Sequence, residues 1–228
     1  MPYESTISFT LDTICPWTYL AKRRLDLALS QYAASPSSSK CTFTLKILPY
    51  QLYPEAPQAG EDKYAWYKKT RYSDSDERMK MYVTLMGAYG VACGIDFKFG
   101  GTVANTLHAH RVIGYFQEEK GVETAGRLVD SLYRQYFEEE RHPSSEETLL
   151  RACEDAGISD EEAKRVVVED DSKGMMEAKM AIREQAGNGI DSVPYIVLDG
   201  RRRDLTLVGA KEVEEYVKAL ETIAKESS

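Results

Sequence analysis

The sequence predicts an α/β fold of order βαβ…ββα, interrupted by a large all-helical insertion. Three observations predict it. A strand, a helix and a second strand follow one another up to about residue 49, as in a βαβ unit with a parallel sheet. From about Glu61 to Gln185 no convincing strand appears and several helical stretches do. A β-branched strand, a hairpin turn and one more helix then close the chain. On this reading residues 1–60 and 188–228 form one domain, and residues 61–187 form the helical insertion.

Each element has its own signal. Thr6 to Leu11 alternates polar and apolar, so it reads as strand one. A helix follows from about Pro16 to Ala33, because proline suits the first helical position, where its missing N–H costs nothing. Ala34 to Ser39 is a polar loop, and Thr42 to Leu48 alternates again as strand two. Helices are expected over 62–73, 75–89, 105–119, 123–137, 145–156, 159–169 and 172–186. Ser145 and Ser159 are N-caps, the second in a capping box with Glu162, and Gly121 and Gly157 suit helix ends. Ser192 to Leu198 reads as strand three. Asp199-Gly200 signals a hairpin with Arg201 to Asp204 at its polar end. Leu205 to Val208 is strand four, and a last helix runs from about Lys211 to Ala224.

Composition excludes several functions. The chain has 228 residues, 43% of them hydrophobic, which is ample for a core. Its net charge of −8 is poorly suited to nucleic acid or an anionic membrane. No apolar run approaches the roughly 20 residues of a membrane span. Met1 to Ser5 has neither a basic n-region nor an apolar h-region, so the expected location is cytoplasmic. The four cysteines, Cys15, Cys41, Cys93 and Cys153, are scattered, with no CxxC pair and no zinc spacing. Free thiols and no metal are expected.

Chemistry concentrates at Cys15-Pro16-Trp17-Thr18. A thiol at a strand-to-helix turn faces the free N–H groups and positive dipole end of the helix, which favour the thiolate. The motif has the frame of a Cys-x-x-Cys site with threonine in second place, so Cys15 has no neighbouring thiol with which to close a disulfide. Cys15 and Thr18 are the candidate catalytic residues, Thr18 as a hydroxyl donor to a thiolate. Trp17 is either core or rim packing, or the wall of a cleft. Cys93 is the one candidate for a distant resolving thiol. His110 is either a core histidine or a wall of the active cleft, and Asn105 either an N-cap or a ligand contact.

The chain resembles the DsbA-like thioredoxin family, in its cytosolic FrnE-type branch, and so a thioredoxin-like fold. The residues that carry this are Asp12-Thr13-Ile14-Cys15-Pro16-Trp17-Thr18-Tyr19-Leu20, then Leu52 with Pro54 and Pro57. Lys22-Arg23-Arg24, Gly94-Ile95-Asp96-Phe97, Asn105-Thr106 with Ala109-His110-Arg111, Leu132-Tyr133-Tyr136-Phe137, Gly189-Ile190-Asp191-Ser192-Val193-Pro194 and Val208-Gly209-Ala210 complete the set. Related families are the kappa-class glutathione transferases and the 2-hydroxychromene-2-carboxylate isomerases, which use a hydroxyl where Cys15 stands. The resemblance implies that Val193-Pro194 is a cis pair facing the sulfur and that Pro16, Trp17, Val193, Pro194, His110 and Asn105 line a substrate or thiol site. It also implies glutathione as partner, a small-molecule or thiol substrate, and leaves a homodimer open. Tyr53 stands where relatives commonly carry an asparagine. The leading expectation is a cytosolic thiol-dependent oxidoreductase with a single cysteine, linked to glutathione. The alternatives are a glutathione-dependent isomerase or transferase acting on a small aromatic or polyketide-like substrate, and a catalytically inactive binding protein.

Overall fold

A computed structural model describes residues 2–169 and 172–227. The chain runs β1 (Tyr3–Leu11), α1 (Pro16–Ala33), β2 (Cys41–Pro49), β3 (Glu61–Asp62), α2 (Lys63–Arg71), α3 (Asp76–Cys93) and β4 (Thr102–Val103). It continues with α4 (Leu107–Lys120), α5 (Val122–Phe137), α6 (Glu146–Asp155), α7 (Asp160–Val167) and α8 (Ser172–Gly187). It ends with β5 (Tyr195–Leu198), β6 (Leu205–Val208) and α9 (Val213–Glu226).

The main sheet has the order β2-β1-β5-β6. β2 is parallel to β1, as a βαβ unit requires, and β5 and β6 are antiparallel to their neighbours. The alternation in the sequence sets its register. Leu45, Ile7, Leu198 and Leu205 form one apolar row across the four strands, and Ile47, Phe9, Ile196 and Leu207 form the next. A slip of one residue would turn both rows to the other face, where Thr6, Ser8, Thr44 and Lys46 now stand. α1 packs on α9, while α4, α5 and α8 gather beside β2, and a continuous apolar core joins sheet and helices.

The block expected to be wholly helical contains a two-residue ladder. Glu61 pairs with Val103 and Asp62 with Thr102. Segments this short carry no readable periodicity. The ladder depends on Gly101, at φ +82°, where a Cβ would lie 2.1 Å from the Glu140 carbonyl oxygen. α3 also runs to Cys93, beyond the expected end at Tyr89. Gly90 is a tolerated helix interior because Ile95 and Phe97 fold back onto it, and Gly94, in the left-handed region, is the real terminator. Beside the ladder, Lys63 is buried, donates to the Tyr136 carbonyl at 2.9 Å and lies over the Tyr136 ring. Burial lowers its pKa to about 8.

Two further boundaries move, the starts of strand three and of the last helix, while Leu205–Val208 forms the strand expected. Strand three pairs only from Tyr195, because Pro194 has no N–H to give to the ladder. The β5–β6 connection spans residues 199–204, with the Gly200 N–H on Asp204 Oδ1 at 3.1 Å and Arg203 paired with Glu226. α9 starts at Val213 because Glu212 and Glu215 form a capping box. Among the described residues, no helix is long and apolar enough to cross a membrane.

Candidate active site

Cys15 caps the N-terminus of α1 in extended conformation, with Pro16 behind it at the first helical position. Its N–H donates to the Asp12 carbonyl at 3.0 Å, and its own carbonyl accepts from the Thr18 and Tyr19 N–H groups. Cys15 Sγ lies 3.9 Å from the Val193 carbonyl oxygen, and the Val193–Pro194 peptide is cis. Residues from opposite ends of the chain therefore meet at the sulfur.

The helix terminus does not ionise this thiol. Cys15 is only 4% exposed, and its pKa is raised from 9.0 to about 11. Burial is the largest cause. The Thr18 N–H opposes it, the Asp12 carboxylate adds to it, and the Trp17 N–H and Thr18 hydroxyl oppose it more weakly. The helix N–H groups are already among the opposing causes, so the net rise means that burial outweighs the helix terminus at this sulfur. The expectation of an easily ionised thiol is corrected on this ground.

Thr18 is fully buried. Its hydroxyl accepts from Tyr133 Oη on α5 at 2.8 Å, and its one proton is shared between the Cys15 carbonyl at 2.7 Å and the Asp12 carbonyl at 2.9 Å. Thr18 thus ties the turn to the insertion, and its hydroxyl also weakly favours the thiolate of Cys15.

Asp12 is the residue that composition and spacing did not single out as part of the site. It is fully buried, and its Oδ2 accepts from the Leu52 N–H at 2.7 Å. Its Oδ1 lies 3.4 Å from His110 Nε2 on α4. Among the described residues neither that oxygen nor either nitrogen of the buried His110 ring has a hydrogen-bond partner, in a protein interior where almost all such groups are paired. The signal available was its place: an acidic residue three before Cys15, at the end of an apolar strand.

Asn105 is spent on the loops. Its side-chain amide donates to the Pro54 carbonyl at 2.7 Å, and its Oδ1 accepts from Gln51 Nε2 and the Leu107 N–H. It binds the segment after β2 to the start of α4. Thr106, not Asn105, occupies the cap position. Trp17 is 36% exposed and packs edge-on against Tyr89, at the rim. Tyr53 packs against Trp66 and receives two N–H donors from Arg71. Most other aromatics of the insertion interlock as core, Tyr67 with Tyr82 and Phe99, and Tyr82 with Tyr72. A cavity of about 560 Å³ opens elsewhere, between β2, α4 and α8. His110, Arg111 and Gln117 are in its wall and Cys15 is not.

All four cysteines are free and buried, and burial raises Cys41 and Cys153 to about 11 and about 12. Cys93 ends α3 and is 7% exposed. Among the described residues no group of three or more His, Cys, Asp or Glu is placed to hold a metal ion.

Residues 6–221 match the model of the DSBA-like thioredoxin domain. The chain belongs to the DsbA-like thioredoxin family. Its fold is similar to that of a probable DsbA oxidoreductase from Streptomyces coelicolor, 26% identical, with 97% of this chain and 91% of that one covered and a TM-score of 0.81. It is also similar to a 2-hydroxychromene-2-carboxylate isomerase, 14% identical, covering 96% of each chain at a TM-score of 0.68. A third structure of similar fold is the cytosolic disulfide reductase DsbM from Pseudomonas aeruginosa, 14% identical, with 95% of this chain and 97% of that one covered at a TM-score of 0.61. No curated protein sequence matches the chain.

Two measurements check this geometry. The rate of Cys15 alkylation by iodoacetamide should rise about tenfold per pH unit towards a midpoint near 11, and Asp12→Asn should move that midpoint down, because the carboxylate opposes the thiolate. Thr18→Val should cost about 1–3 kcal/mol in urea unfolding, by leaving the Tyr133 hydroxyl unpaired, while Thr18→Ser should cost less.

Proposed function

We propose that this DsbA-like protein is a cytosolic oxidoreductase that works through Cys15 as a single thiol, with glutathione supplying the second sulfur. The observation that carries this reading is the setting of the sulfur. Cys15 stands against the Val193 carbonyl at the head of α1, and the position that would hold a resolving thiol is a threonine bonded into the turn. A DsbM structure from Pseudomonas aeruginosa described as containing GSH has the same fold at 14% identity.

The chemistry then runs in two exchanges. The Cys15 thiol gives up its proton and attacks one sulfur of a disulfide. A new S–S bond forms at Sγ, the old one breaks, and the leaving thiolate takes a proton. A glutathione thiolate next attacks the mixed disulfide and frees Cys15, which is protonated again. With a pKa of about 11, roughly one Cys15 in ten thousand is ionised at pH 7 in the buried state. Loosening of the surrounding cleft, which lets water reach the sulfur, raises that fraction, because burial is the main cause of the shift.

The same observation gives the second reading its support. If Cys15 stays protonated, bound glutathione is the more reactive thiol, and the protein acts as a glutathione-dependent isomerase or transferase on a small electrophile. The two readings part on one assay. Turnover of a glutathione mixed disulfide by reduced glutathione should be accelerated by the protein and abolished in Cys15→Ser. Saturable binding of reduced glutathione that survives Cys15→Ser, without any such turnover, would favour the isomerase reading and overturn the first.

A further inference from the structure

The cavity between β2, α4 and α8 lies apart from the sulfur, and its volume of about 560 Å³ suits one small organic molecule. Its wall is mixed. Ile47, Ile113, Val166, Ala178 and Ala181 supply apolar surface, and Glu118, Glu119, Glu169, Glu177 and Glu184 are exposed acids in the same wall. The basic residues of the wall are Lys46, Arg111 and Arg165. Arg111 is buried and gives N–H groups to the Val166 and Val167 carbonyls, and Arg165 reaches the Tyr115 hydroxyl at 3.4 Å. Lys46 is exposed. Acids therefore outnumber cations in this wall, and two of its cations already have oxygen partners.

The backbone beneath is equally poor in donors for an anion. β2 is an edge strand of the sheet. The Ile47 N–H and carbonyl are both taken by the Gln117 side-chain amide, at 2.8 and 3.0 Å, and Pro49 has no N–H. On α4, Gly114 also lies in the wall. A Cβ there would meet nothing within 4 Å, so the space stays open at a position where a helix would gain from a side chain.

The buried part of the wall carries an imidazole. His110 is 3% exposed, and among the described residues neither ring nitrogen has a hydrogen-bond partner. Its Nε2 lies 3.4 Å from Asp12 Oδ1, a fully buried carboxylate oxygen that also lacks one. A carboxylate on that side favours the proton on Nε2 and leaves Nδ1 an acceptor. A donor in the cavity would complete a line of carboxylate, imidazole and cation, in which the buried negative charge favours a positive ligand through the ring.

We propose that this cavity is a second binding site, for an organic ammonium with an apolar body, and that His110 receives an N–H of the ligand. The apolar wall takes the body, Asp12 backs the imidazole, and the glutamates favour a positive over a negative charge. The site is separate from the thiol chemistry and does not depend on it.

The test titrates the whole protein with 4-phenylbutylammonium, 4-phenylbutanol and 4-phenylbutyrate, by calorimetry and by NMR of the imidazole nitrogens. The chain has three histidines, so substituting His108 and His142 in turn assigns the His110 signals. The ammonium should bind at one site per chain, with the alcohol and the carboxylate weaker by about tenfold or more. The His110 signals should move with the same saturation. Gly114→Leu should weaken the ammonium by about tenfold or more without lowering the thermal midpoint, because the added side chain takes up the opening and suits a helix. Carboxylate binding as tight as that of the ammonium, ammonium binding that leaves His110 unmoved or that Gly114→Leu does not weaken, or no saturable ammonium binding would each overturn the proposal.

Discussion

The hydroxyl of Thr18 holds the Cys15 turn and the helical insertion in one piece. It receives the Tyr133 proton from α5 and gives its own to the carbonyls of Asp12 and Cys15. The Val193 carbonyl meets the sulfur from the far end of the chain, and the other walls of the site connect to that knot. The Asp12 backbone sets the turn, and its side chain fixes Leu52 after β2 and faces His110 on α4. Asn105 ties the same post-β2 segment to α4. The insertion is therefore part of the wall behind Cys15, and a change at Tyr133 on α5 reaches the turn through one bond.

Two opposing effects act on the thiol, and their magnitudes decide between them. The helix terminus and its N–H groups lower the pKa. Desolvation and the Asp12 charge raise it, and they win by about two pH units. A buried, protonated sulfur is protected from adventitious oxidation, because the thiolate is the reactive species. It also means that access controls reactivity.

Much of this was legible in the sequence. The alternation of Ile7, Phe9 and Leu11 wrote the sheet register, and the Ser145 and Ser159 caps marked α6 and α7. The pairing of Cys15 with Val193 across 178 positions came from the family motif at both ends and not from any local pattern. What escaped was set by tertiary contact. Gly90 looks like a helix breaker until Phe97 packs on it, and the Glu61–Val103 ladder is too short to have a period. The bonds of the Thr18 hydroxyl to Tyr133 and to the Asp12 and Cys15 carbonyls were not legible, because they join the turn to a distant helix. Asp12 was legible as part of the family motif but not as a buried carboxylate, because burial is not visible in one residue's identity.

In the proposed chemistry one sulfur of this turn works with a sulfur from outside the chain. Intact-mass and peptide mapping after treatment with oxidised glutathione tests it most directly. The expected product is one glutathione per chain, carried on Cys15, and released by reduced glutathione without any internal disulfide. Formation of a Cys15–Cys93 disulfide, or a protein that stays unmodified at every thiol, would contradict it.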